Sequence, residues 1–296
     1  MMNATIKKRL LTAILIFFTA VLAAGFMLPV FITVINSLMK GFEVRSRFTM
    51  NILPSNIFYV LDVFPQIHYV RMTLSPDYVS AGQYAALFRY AEYMNAMLNS
   101  LLIALPAVLG QLVISVPAAY AFEFLKWRNK EKLFFAYIVI MLMPLPVLLV
   151  PQFVIAGFFG ISESLPAIIL PALFAPFGVF LLRQYLKTLP VEFIEAAKID
   201  GAGQFRILVS IITPLMKPAI AALALLVFID YWNVVDQALV FITDIEWQPL
   251  SVYLTRLTGN FNIIFAASVF YMIPALLAFL HGQEHLTAGM KITGLK

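Results

Sequence analysis

Leu189-Pro190-Val191-Glu192-Phe193-Ile194-Glu195-Ala196-Ala197-Lys198-Ile199-Asp200-Gly201-Ala202-Gly203 decides how this chain is read. Pro190 suits the first turn of a helix, where its missing N–H has no partner to lose. Glu192 places negative charge at the positive end of the helix dipole. Helix formers continue to Ile199, and Gly201 suits the left-handed residue that closes a helix. A second helix is predicted from Gln204 to Ile212, with Pro214 and Pro218 bounding the way onward. The expectation is helix, glycine turn, helix over residues 189–213. Small side chains at Ala196, Ala197, Gly201 and Ala202 let another backbone approach, while Phe193 and Ile194 can fill a groove. Glu195 and Asp200 can meet basic groups. Such a surface fits helix-in-groove docking. A helix lying on a lipid surface is the other reading, but those are rich in Lys and Arg on the polar face, and here the charge is mixed.

The sequence on either side is strongly apolar. Of 296 residues 62% are hydrophobic and 12% charged, with a mean hydropathy of +0.92. A soluble domain is nearer half apolar and about a quarter charged. A bilayer span takes about 20 apolar residues. Stretches free of Asp, Glu, Lys and Arg run over Leu10–Met39, Ala96–Phe122, Leu133–Ser162, Ser164–Leu182 and Leu257–Gln283. A further one starts at Pro218 and carries Asp230 and Asp236 within it. The fold class is therefore all-α, a single polytopic membrane domain over residues 1–296 with six spans. Prolines crowd spans three and four (Pro144, Pro146, Pro151, Pro166, Pro171, Pro176) and predict kinks.

Basic residues set the orientation. Lys7, Lys8 and Arg9, then Lys126, Arg128, Lys130 and Lys132, then Arg183, Lys187, Lys198, Arg206 and Lys217, then Lys291 and Lys296 all fall on one side of six spans. That side is the cytoplasm, so both termini and the helix–glycine–helix segment lie inside. Most of the basic residues on the other face (Lys40, Arg45, Arg47, Arg71, Arg89) sit in one long outer loop over about 40–92, where charge counts for less. A cleavable signal peptide does not fit the start of the chain, because the apolar run continues past Ala24 to Ile35.

Several classes are excluded by what the chain lacks. With 0 Cys there is no disulfide scaffold or thiolate metal site. His281 and His285 stand at i, i+4, but Gly282 follows His281 where a zinc-peptidase helix has glutamate, so no metal is predicted. No G-x-x-x-x-G-K-[ST] phosphate loop occurs, so the chain cannot hydrolyse ATP by that machinery. The net charge of +5 belongs to the inner loops and does not imply nucleic acid. No catalytic constellation stands out in the spans, and no enzyme activity is expected.

Span five holds the candidate pathway residues Asp230, Trp232, Asn233, Asp236 and Gln237. Asp230, Asn233 and Asp236 or Gln237 are three or four residues apart and share one helix face. Carboxylates inside a span are costly and face a cavity or a partner. Acids and amides hold sugar hydroxyls, and aromatic rings stack on sugar faces. A gate, a subunit contact, or a span ending early at Asp236 would use the same residues.

Glu195-Ala196-Ala197, three residues, Gly201, nine residues, Ile211 and then Pro214 resemble the EAA loop of bacterial ABC importer permeases. Thr213 stands where a leucine is usual. Asn99-Ser100, Ala118-Ala119-Tyr120-Ala121-Phe122, Phe228 and Trp232-Asn233 resemble the carbohydrate, maltose-permease-like branch. So does the tail with Gln283, Leu286 and Gly289, although Thr293 replaces a common glycine. Ala238-Leu239 replaces that branch's proline–leucine. The resemblance implies the type I importer permease fold in a bacterial cytoplasmic (inner) membrane. It implies pairing with a second, similar permease, two ATPase subunits that carry ATP and Mg, and an extracytoplasmic solute-binding protein. No cofactor is implied on this chain. Glu195, Ala196, Ala197, Asp200, Gly201 and Ala202 would form the surface docked on an ATPase, and the cargo would be a sugar or oligosaccharide. In the maltose-type arrangement the other permease can hold most of the sugar. A non-sugar importer, or a transporter or channel subunit acting without ATP, are the competing readings.

Overall fold

A computed structural model describes residues 4–48, 76–257, 260 and 262–293, with side chains described over 11–44, 76–257, 260, 262–284. Residues 49–75 of the outer loop, with Pro54, Pro65, His68 and Arg71, lie outside the described residues, as does Lys296. The regular structure of the described residues is helical apart from one isolated antiparallel bridge, Met39 to Val79. It divides into two compact units, residues 1–90 with 257–271, and residues 91–256 with 272–296.

In the first unit, α1 (Ala4–Ser37) is followed by α2 (Gly41–Phe48) and α3 (Gly82–Leu87). The described ends of the outer loop are pinned to the end of α1. The Gln83 amide donates to the carbonyls of Asn36 (2.7 Å) and Met39 (3.0 Å), Tyr84 and Ser37 share a hydroxyl hydrogen bond of 2.7 Å, and the buried Glu43 carboxylate accepts the Asp77 N–H at 2.8 Å.

The second unit is built around α4 (Ala91–Phe124). Every fourth residue on one stripe of α4 is small or slim and buried: Ala107, Gln111, Ser115, Ala119. In lipid, where water drives no helix together, small residues allow the close approach that dispersion needs. Against α4 pack α7 (Pro166–Leu173), α8 (Pro176–Leu186), α12 (Lys217–Trp232) and α14 (Leu250–Arg256). Gly178 of α8 lies so close to Ser115 and Gln111 that a Cβ there would overlap Ser115 Oγ.

Spans one, two and six are continuous helices, the last being α15 (Ile264–Thr293), which starts after Leu257 because a turn at Asn260 precedes it. Span four is α7 and α8 joined at Phe174–Ala175, with Pro176 at the start of the second piece. Span three is not one straight helix. It breaks between α5 (Lys130–Met141) and α6 (Leu145–Phe158), which are bent by 104°. Pro144 has no N–H to continue the ladder, and Pro146 restarts it in the first turn of α6. Among the described residues four helices are long and apolar enough to cross a bilayer, and six crossings are reached when each of two bent pairs is one span.

Candidate functional site

The helix–glycine–helix segment folds as its sequence predicts, and the cap shows why. α9 (Glu192–Ile199) ends in a Schellman closure: the Gly201 N–H reaches the Lys198 carbonyl at 3.0 Å, and the Ala202 N–H reaches the Ala197 carbonyl at 2.9 Å. Gly201 has φ +78°, the left-handed conformation that costs a side-chain-bearing residue most. Ile194 and Ala197, three apart, turn inward and are buried. Glu195, Ala196, Asp200 and Gly201 are exposed and Ala202 is half-buried. Of the six residues expected at the docking surface, Ala197 therefore anchors the helix from beneath. Sequence reasoning missed two strongly exposed apolar side chains flanking the turn, Ile199 at 86% and Phe205 at 79%. Their position on either side of Gly201 was the available signal.

α10 (Gln204–Ile207) continues into a π-helical turn, Leu208–Ile212, and α11 (Thr213–Leu215). Pro214 cannot donate to the preceding turn, and the widened turn absorbs that loss. The Thr213 hydroxyl donates to the Leu208 carbonyl at 2.8 Å, five residues back. A leucine at that position has no such donor. The chain then bends by 75° into α12.

This hairpin stands on a braced base. The Tyr120 hydroxyl, at the end of α4, donates to Gln204 Oε1 at 2.6 Å. Tyr185 of α8 donates to the Leu215 carbonyl at 3.3 Å. Arg183 is 3% exposed and pairs with Glu123 (3.0 Å) and Glu131 (2.6 Å), with its guanidinium 4.0 Å from the Phe134 ring centroid. One buried cation thus joins the end of α4, the start of α5 and the end of α8.

The second feature is a break in span five. α12 ends at Trp232, Asn233–Val235 are unwound, and α13 (Asp236–Phe241) follows. The Asn233 amide donates to the Ile229 carbonyl at 2.7 Å and closes α12. The Val234 carbonyl, freed by the break, accepts the Ser251 hydroxyl. Around the break lies a cavity of about 230 Å³ lined by Leu145, Asp230, Tyr231, Asn233, Val234, Val235, Asp236 and Gln237. Four of the five residues singled out in span five meet here. They do so through an unwound segment, not as the unbroken helical stripe that their spacing predicts. Trp232 does not line the cavity: it is 1% exposed and stacks on Phe228, with centroids 5.7 Å apart. Leu145 comes from the break in span three, which the prolines there had marked only as a kink.

Residues 111–292 match the family described as binding-protein-dependent transport system inner membrane component, more than half of the chain. The chain belongs to this family. The match covers both the braced hairpin and the cavity. The permease is 28% identical over 232 residues to the arabinooligosaccharides transport system permease protein AraQ of Bacillus subtilis, covering 77% of this chain and 83% of that one. It is 26% identical over 232 residues to the sn-glycerol-3-phosphate transport system permease protein UgpE of Agrobacterium fabrum, covering 74% and 82%. Among solved structures it shares its fold with a chain of a bacterial ABC transporter involved in the import of the acidic polysaccharide alginate, with a TM-score of 0.75, 22% identity, and coverage of 94% and 97%. The permease also shows what Asn99-Ser100 do, just outside the family match. The Asn99 amide donates to the carbonyls of Glu246 (2.7 Å) and Gln248 (3.2 Å), and Ser100 Oγ accepts the Leu250 N–H at 2.8 Å. Together they lace residues 246–250, before and at the start of α14, to the first turns of α4.

Proposed function

We propose that this permease is the membrane subunit of an ATP-driven importer that passes a sugar or oligosaccharide inward by alternating access. It crosses the bilayer six times with both termini in the cytoplasm, pairs with a second permease, and receives cargo from an external binding protein. Two ATPase subunits holding ATP and Mg supply the energy, and this chain couples to one of them through Glu195, Ala196, Asp200, Gly201 and Ala202. Asp230, Asn233, Asp236 and Gln237 form its wall of the pathway. The observation that carries the reading is the α9–α10 hairpin. It exposes Phe193, Ile199 and Phe205, which a free surface would not favour; it is hydrogen-bonded to α4, and α11, which continues from it, is hydrogen-bonded to α8. A docked ATPase covers that apolar face, and the braces carry its movement into the spans. Support for a saccharide cargo comes from the resemblance to the maltose-type branch and from the arabinooligosaccharide relative.

The test is to purify the importer through a tag on this chain and reconstitute it with its binding protein. Uptake of a labelled arabino-oligosaccharide should require ATP on the ATPase side. Uptake without ATP or partners sinks the importer reading, and ATP-driven uptake of sn-glycerol 3-phosphate but of no saccharide sinks the cargo assignment.

A further inference from the structure

The cavity at the break in span five carries charge of one sign. Two carboxylates, Asp230 and Asp236, line it, and no Lys, Arg or His does. α12 ends and α13 begins at its edge, so the partial charges of the two helix ends oppose each other and the carboxylates set the sign. A second feature marks it as a place for a ligand. Gln237 lines the cavity at 6% exposure, and its amide makes no hydrogen bond among the described residues. An amide lining a cavity without a protein partner offers a donor pair and an acceptor to whatever enters. At about 230 Å³ the space is smaller than the roughly 300–1,000 Å³ that encloses a drug-sized ligand. It takes one ring or one terminal group of a longer cargo.

A cleft of one charge sign with low-dielectric walls focuses its field and selects ions by sign. We propose that this cavity is a charge filter that admits neutral or cationic saccharide groups and rejects sugar acids and sugar phosphates. The proposal rests on the reading of span five as part of the pathway. It is not a property of the family or of the fold. One relative is named for sn-glycerol 3-phosphate and one solved neighbour for the acidic polysaccharide alginate.

The chain has 0 cysteines, so Asn233→Cys introduces a single thiol at the cavity. In the assembled importer with a cysteine-free partner permease, that thiol is treated with methanethiosulfonate reagents bearing either an ammonium or a sulfonate group. The thiolate displaces methanesulfinate and forms a mixed disulfide, read as a mass shift of this chain. The expected result is that the cationic reagent reacts at least about 10-fold faster than the anionic one, beyond their ratio on a free thiol. Adding Asp230→Asn and Asp236→Asn should return the ratio to the free-thiol value. Val235→Cys, on the same wall, repeats the measurement should Asn233→Cys fail to assemble. Labelling at either site without charge preference, or a preference that survives loss of both aspartates, overturns the filter and leaves the pathway reading standing. No labelling at either site by either reagent shows the cavity closed to water and overturns both.

Discussion

Replacing Gly201 tests whether the cap of α9 transmits work. No atom lies within 4 Å of where a Cβ at this position would sit, so a substitution meets no steric barrier outside its own backbone. The cost is conformational. The left-handed region costs an ordinary residue about 1–2 kcal/mol, and less for asparagine. A β-branched residue lies at or above the upper end of that range, about 2 kcal/mol. The two capping bonds, Gly201 to Lys198 and Ala202 to Ala197, depend on that conformation. Opening the cap therefore becomes about 5-fold more frequent in Gly201→Ala and about 30-fold in Gly201→Val. The assay is cargo-stimulated ATP hydrolysis and uptake in proteoliposomes, beside the basal ATPase rate. Stimulation and uptake should fall in the order Gly, Asn, Ala, Val, with basal hydrolysis retained wherever the ATPases remain bound. Gly203 supplies the control. It has φ −69° and ψ 160°, which any residue adopts, and no atom within 4 Å of an added Cβ. Gly203→Ala should lie within about 0.5 kcal/mol of the parent. Parental coupling in Gly201→Val, or equal damage from Gly203→Ala and Gly201→Ala, would refute the reasoning.

Arg183→Gln removes two ion pairs and the stacking on Phe134 from a buried site; the purified complex should lose about 2–3 kcal/mol of stability, read as a lower thermal midpoint. Glu131→Gln should lower the midpoint less, because its carboxylate is 67% exposed. Gly178→Val forces two β-branch methyls into Ser115 and Gln111 and should cost about 1–3 kcal/mol, visible as reduced monodisperse yield in detergent; a parental yield would refute the close α4–α8 contact. Ser251→Ala leaves the Val234 carbonyl without its donor at the span-five break, at about 1–3 kcal/mol, and Ser251→Thr should restore it. Protease sensitivity of the segment between α13 and α14, near Asp244, reports that change.

Much of this molecule is legible along the chain because its causes are local. Apolar run length, the sidedness of lysine and arginine, and the proline–acid–glycine punctuation of residues 189–203 act within a turn or two of helix or across one span. Hence α1, α4 and α15 fall on three of the predicted spans, and Gly201 closes α9 where expected. Length and composition did not reveal the 104° bend in span three or the unwinding at Asn233–Val235. Prolines permit a break at several places, and the neighbours choose which one can be satisfied. Span five opens at Val234, where Ser251, seventeen residues on, donates to the freed carbonyl, while Asn99 and Ser100 hold the segment leading into α14, which carries Ser251. Trp232 shows the same limit: it was singled out as an aromatic ring near the aspartates in the chain, and packing on Phe228 removes it to the core. By itself the sequence determined that this chain spans a membrane and presents a glycine-capped helical hairpin, since hydropathy and capping are properties of short segments. Only the tertiary structure decided where the spans break and which polar groups share a cavity, because those outcomes depend on hydrogen-bond partners far away in the chain.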